Sequence, residues 1–227
     1  MQGTSELPGV VRPPFAPSPF LAAVFWVSFA AMIAYLLPVL AYLLGSVSSA
    51  IVVSRVLGLA DPRQVGSKNP GATNVLRYGG KKAAALTLAG DMLKGVIPVL
   101  LAHALSTDPV ILALTALAAF LGHVFPVFHG FRGGKGVATA AGVLLALHPA
   151  VGLSLLVVWL AMAFVFRYSS LAALVAAAAA PVATAWFVPQ WPAIAAALVI
   201  SVVLIARHQQ NIRNLLAGRE SRIGKKP

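Results

Sequence analysis

Residues 171–206 read LAALVAAAAAPVATAWFVPQWPAIAAALVISVVLIA, a stretch without a single charged side chain. A helix needs about 20 apolar residues to cross the hydrocarbon layer of a bilayer, so this run is too long for one crossing and sufficient for two. Pro189-Gln190-Trp191-Pro192 divides it, because proline punctuates helices and tryptophan favours the membrane–water interface. Two transmembrane helices joined by a tight turn are expected here.

The rest of the chain reads the same way. Of its 227 residues, 59% are hydrophobic and only 10% charged, against roughly 25% charged in soluble domains. A water-soluble enzyme is excluded, and so are collagen-like, disordered and coiled-coil chains. There is no cysteine, which removes disulfides, thiol nucleophiles and thiolate metal sites. Further apolar runs lie within Phe20–Leu59, with a break expected near Pro38, then at about 83–105, about 110–128 and 137–166. The run 137–166 holds one tilted helix or two short ones folded at Leu147-His148-Pro149.

Charge decides between these. With two helices in 137–166, the basic clusters at 55–82, at Arg132 and Lys135, at Arg167 and from Arg207 onward all fall on one face. That face carries 15 of the 17 Lys and Arg, leaving Arg12 in the amino-terminal tail and Lys94 inside a span. Cytoplasmic loops collect Lys and Arg. The expected fold is therefore an all-α integral membrane protein of seven transmembrane helices, amino terminus outside and carboxy terminus cytoplasmic. The net charge of +12 belongs to membrane topology rather than to nucleic-acid binding. Residues 1–30, rich in proline, read as an extended external segment without a cleaved signal peptide. Residues 31–220 form the membrane domain and 221–227 a basic cytoplasmic tail.

Three polar elements crowd the basic face. The first runs Gly66-Ser67-Lys68-Asn69-Pro70-Gly71-Ala72-Thr73-Asn74-Val75-Leu76-Arg77. Ser67 and Asn69 suit helix N-caps and Pro70 a first helical position, so a loop should turn into a helix whose amino end holds an anion, with Lys68 and Arg77 adding charge. A capped loop between spans is the alternative. The second, Gly130-Phe131-Arg132-Gly133-Gly134-Lys135-Gly136, sets glycines around one lysine, either an open phosphate cradle or a flexible helix break. It is not a Walker A loop, since His129 and Gly136 stand where that motif needs Gly and Ser or Thr. In the third, helical spacing gathers Arg207, His208, Asn211 and Asn214; a basic helix resting on anionic lipid is the other explanation.

Asp91 and Lys94, three residues apart within a span, should pair, because isolated charges there cost roughly 2.5 to 3.5 kcal/mol each. His103 and Asp108 match a His-x-x-x-x-Asp acyltransferase signature, but the topology puts them on the outer face, and the match is coincidence. Asp61, Asp91, Asp108 and Glu220 are scattered, so no carboxylate cluster offers a divalent metal site.

Taken together these segments resemble the bacterial PlsY-type glycerol-3-phosphate acyltransferases. The match is carried by Gly45-Ser46, GSKNPGATNVLR from Gly66, DMLKG from Asp91, LGHVFPVFHGFRGGKGVAT from Leu121, YSSL from Tyr168, RHQQNI from Arg207 and GRE from Gly218. The resemblance implies a seven-helix enzyme of the bacterial inner membrane with its active site on the cytoplasmic face. It would use no cofactor and move a fatty acyl group from acyl phosphate to the 1-hydroxyl of glycerol 3-phosphate, yielding lysophosphatidic acid and inorganic phosphate. It further implies that Lys135, His208 and Asn211 are catalytic, and that Ser67, Lys68, Asn69, Gly71, Thr73, Asn74, Arg77, Gly133, Gly134 and Gly136 bind substrate. Membrane lipid is an implied partner, and the enzyme that makes acyl phosphate a candidate one. The rival readings are an organic-phosphate transporter, whose site would lie nearer the bilayer midplane, and a non-enzymatic scaffold binding anionic lipid.

Overall fold

The computed structural model describes residues 18–224; residues 1–17, most of the expected external segment, and the last three residues of the tail lie outside it. Among the described residues all regular structure is helical: α1 Pro19–Gly45, α2 Ser49–Val56, α3 Ala72–Leu105, α4 Pro109–Val124, α5 Val137–Leu147, α6 Pro149–Phe166, α7 Ser169–Phe187, α8 Trp191–Arg207 and α9 Gln209–Leu216, with a single 3-10 turn at Val127–His129. Four helices are long and apolar enough to cross a membrane, and six crossings result if each bent pair is one span. The bent pairs are Tyr35–Gly45 with Ser49–Val56, at 44°, and α8 with α9, at 58°. Helix α5 is apolar but has 11 residues, about 16 Å against a hydrocarbon layer of about 30 Å.

Two boundaries differ from expectation. Helix formation begins at Pro19, not after residue 30, because Ser18 caps the helix by accepting from Leu21 N at 3.2 Å and Pro19 supplies a preset first position. The break expected near Pro38 lies instead at residues 46–48; α1 continues through Pro38. The two-helix reading of 137–166 holds, and His148 is at once the C-cap of α5 and the N-cap of α6.

α3 joins the basic loop to the membrane interior. Its first turns and its span meet at Gly80, whose φ of 77° falls in the region that favours glycine. Asp108 caps α4 by accepting from Val110 N at 2.8 Å, which gives that carboxylate a structural duty.

Small residues let the helices approach closely. α1 crosses α4 at Gly45 and Gly122, where a Cβ on either would overlap the other helix's backbone, at Ala119 O and Tyr42 O respectively. Alanines at 41, 116, 119, 140, 180 and 197 fill the same core. Large apolar side chains such as Leu160, Phe164 and Trp186 point outward, as a lipid-facing surface requires. Asp91 and Lys94 pair at 2.9 Å, both buried, and Lys94 Nζ also donates to Val47 O at 2.8 Å inside the α1–α2 break. The expected ion pair thus ties two helices together at the level of the polar loops.

Candidate active site

The basic segments meet at one end of the bundle, while at the far end His148 stacks on Phe187. The loop of residues 62–71 is wound around Asn74. Its Oδ1 accepts from Ser67 N at 2.8 Å, and its Nδ2 donates to Pro62 O and Val65 O at 3.0 and 3.1 Å. With three hydrogen bonds from this buried side chain, Asn74 shapes the loop. The N-cap of α3 is Gly71, without a side-chain cap bond, rather than Ser67 or Asn69. Lys68, held at φ 56°, is exposed on this loop and Thr73 in the first turn of α3, while Asn69 is half-buried.

The glycine-rich loop folds back on the helix before it. Gly133 N donates to Val124 O and Gly134 N to His123 O, each at 3.2 Å. The cradle of free amides expected at these two glycines is therefore not there: the last carbonyls of α4 have no partners within their own helix, and the loop supplies them. Gly136, at φ 86°, starts α5 and packs so tightly on Phe120 that a Cβ would overlap its ring. Two side chains at the end of α1 hold the near side, Tyr42 donating its hydroxyl to Phe125 O at 2.7 Å and Ser46, the residue that caps the helix, accepting at Oγ from Val127 N at 3.3 Å. Pro70 O approaches Gly134, which brings the first two loops into contact.

Lys135 reaches out of this rigid loop. Its Nζ donates to Asn211 Oδ1 at 2.5 Å, Asn211 Nδ2 donates to Glu220 Oε1 at 2.8 Å, and Ser170 Oγ donates to the same oxygen at 2.8 Å. Burial pushes the Lys135 ammonium pKa below the ordinary lysine value; the Glu220 carboxylate opposes this, and Arg77 and Arg207 reinforce it. His208 is buried beside them, its Nδ1 2.8 Å from Leu204 O. A carbonyl only accepts, so Nδ1 carries the proton and Nε2 is the basic atom of the neutral ring. Arg207 lies over the Phe125 ring and donates to Gly133 O at 3.0 Å, and Arg77 donates to Ser221 Oγ at 2.5 Å.

The three elements seen in the sequence therefore converge. Lys135, His208 and Asn211 meet as a group, Gly133, Gly134 and Gly136 support them, and Arg77 joins through the carboxy-terminal segment. Glu220, Ser170, Tyr42 and His123 were not among the residues expected in the site. For Glu220 the sequence signal is a lone carboxylate just beyond Gly218, whose φ of 64° turns the chain back. Among the described residues no three His, Asp or Glu side chains lie close enough to hold a metal ion. What the arrangement offers is fixed positive charge, amide hydrogen bonding and one neutral imidazole at the boundary between water and the apolar helices.

Residues 20–218 match the family model described as glycerol-3-phosphate acyltransferase. A protein of that name from Burkholderia cenocepacia (strain HI2424) is 62% identical over 189 residues, spanning 82% of this chain and 89% of the relative. One from Cupriavidus pinatubonensis is 60% identical over 190 residues, spanning 82% and 94%. Two crystal structures of PlsY (YgiH), described as an integral membrane glycerol 3-phosphate acyltransferase, are similar as well. The glycerol 3-phosphate form is 45% identical with a TM-score of 0.80, covering 84% of this chain and 96% of that one. The lysophosphatidic acid form is 43% identical with a TM-score of 0.78, covering 84% and 95%.

Proposed function

The chain belongs to the glycerol-3-phosphate acyltransferase family, and on that premise we propose that it transfers a fatty acyl group from acyl phosphate to the 1-hydroxyl of glycerol 3-phosphate, the first step of phospholipid synthesis. The observation that carries the reading is the Lys135–Asn211–Glu220 chain set beside buried His208. Two phosphate-bearing substrates bring about three to four negative charges near neutral pH, and Lys135, Arg77 and Arg207 provide the opposing charge at one place.

In the step itself the 1-hydroxyl oxygen bonds to the acyl carbon, and the bond from that carbon to the phosphate oxygen breaks. Phosphate leaves with the electron pair, and Lys135 neutralises it. The hydroxyl proton passes either to His208 Nε2 or to the phosphate of a substrate. An acyl phosphate is already activated, so orientation and charge neutralisation are the protein's main contributions. Lysophosphatidic acid and inorganic phosphate are the products. Lys68, Asn69, Thr73 and Gly71 are assigned to substrate phosphate, with Ser67 and Asn74 shaping the loop that carries them.

We assign the protein to the bacterial inner membrane, with seven helices entering the bilayer, α5 as a short one, the amino terminus outside and the site facing the cytoplasm. This orientation supports donor entry from the membrane and glycerol phosphate entry from water. The test is purified protein in detergent with palmitoyl phosphate and glycerol 3-phosphate, followed by lysophosphatidic acid formation and orthophosphate release, with acyl-CoA as control donor followed by the same lipid product. Lysophosphatidic acid formed only with acyl-CoA, with release of the CoA thiol, overturns the donor; uptake of glycerol phosphate into vesicles without conversion favours a transporter.

A further inference from the structure

His123 lies near the end of α4, buried, and its ring touches two things of different character. On one side Nδ1 is 3.5 Å from Asp91 Oδ1, the oxygen that pairs with Lys94. On the other, Nε2 and Cε1 press against Gly134 so closely that a Cβ there would overlap Nε2. The backbone of the same residue repeats the contact, since His123 O accepts the Gly134 amide. Asp91 is itself fixed from the far side, its carbonyl accepting from Thr139 Oγ at 2.8 Å in the first turn of α5. The glycine turn at Gly134 and the first turn of α5 at Thr139 are thus both tied to one buried polar cluster.

We propose that His123 is a positioning residue: wedged between the Asp91–Lys94 pair and Gly134, it sets the height of the glycine turn and so places the Lys135 ammonium opposite Asn211. This deepens the functional reading above and rests on it. A ring of fixed size against an atom with no side chain makes a hard stop. Removing the ring lets the turn sink toward α3, and adding a methyl at Gly134 pushes it away. Lys135 moves in both cases. A displacement of about 1 Å in a reacting site costs on the order of 10²-fold in rate.

The experiment is a double-substitution cycle on His123→Ala and Gly134→Ala, with His123→Gln as the conservative variant. Each is purified in detergent, checked for monodispersity, and assayed for orthophosphate release from palmitoyl phosphate. Amide hydrogen exchange of segment 130–136 is measured without substrate. The expected results are a kcat loss of about 10²-fold in each Ala variant, little change in KM for glycerol 3-phosphate, and a double variant much less impaired than the product of the two losses. Exchange of segment 130–136 should accelerate in His123→Ala and return toward the parent rate in His123→Gln. Losses that multiply, or unchanged exchange in His123→Ala, overturn the proposal. If His123→Ala does not fold, His123→Ser with and without Gly134→Ala supplies the same cycle, since it too removes the ring from against Gly134. Should the parent protein release no orthophosphate, the functional reading falls, while the exchange comparison still decides the role of His123.

Discussion

Lys135 and Asn211 are 76 residues apart in sequence, yet the ammonium of one sits 2.5 Å from the amide oxygen of the other. The contact closes the gap between the glycine loop and α9, and Glu220 completes it from the carboxy-terminal segment. A lysine that is partly buried, held by a neutral amide and faced by one carboxylate keeps its charge available to a second anion. That is the condition a leaving phosphate needs.

Replacing Lys135 with Met should remove phosphate release, with kcat falling by about 10²-fold or more, while the unfolding temperature in detergent stays near that of the parent. Glu220 retains its bonds from Asn211 and Ser170, so no bare carboxylate is left to unfold the site. Near-normal turnover in this variant would remove lysine from the mechanism.

The pH dependence follows from the same residue. Burial holds the Lys135 pKa below 10.5, so the charged, active form is lost as pH rises through that lowered value, and the alkaline limb of the rate profile should fall earlier than an ordinary lysine allows. For stability the sign is opposite. The folded protein holds this proton more weakly than the unfolded chain, so burying the charged form costs stability at low pH, and the cost fades as pH climbs toward 10.5. Glu220→Gln removes the carboxylate that props the pKa up and should shift the alkaline limb further down. Rate profiles of the parent and this variant measure the difference; an upward shift would contradict the assignment.

How much of this the sequence discloses depends on the range of the interaction. The helix break at His148-Pro149 is legible because proline at a first helical position is a local signal, and so is the polar crowding at one face. The Asp91–Lys94 pair is legible because three-residue spacing puts two charges on one side of a helix. Glu220 is not, since its approach to Asn211 depends on the reversal at Gly218. His123 is hidden for another reason: a histidine on an apolar helix reads as ordinary core until Gly134 is found against it. The glycine loop misleads in its detail, because free amides are expected of glycine and only the fold shows that α4 claims two of them. The start of α1 misleads too, as the prolines before Phe20 outweigh the single cap at Ser18.

Asn74→Ala should loosen the first loop without touching the second. It deletes three hydrogen bonds, each worth about 1 kcal/mol net, and frees residues 62–67. Hydrogen exchange there should accelerate, and KM for glycerol 3-phosphate should rise more than kcat falls, because the loop is assigned to binding. A kcat effect with an unaltered KM would place Asn74 among the reacting groups.

Orientation has a direct test, because the chain contains no cysteine and a single introduced thiol is the only one a probe can find. Gln190 stands in the turn between α7 and α8, and Arg213 is exposed on α9 beyond the far end of α8. In the proposed topology α8 crosses the bilayer between them. Gln190→Cys should react with a membrane-impermeant maleimide added to intact cells, whereas Arg213→Cys should react only after the membrane is opened. The reverse pattern would place the Lys135 site on the outer face, away from a cytoplasmic supply of glycerol phosphate. Labelling of both in intact cells would mean that α8 does not span the bilayer, and the charge asymmetry would then need another origin.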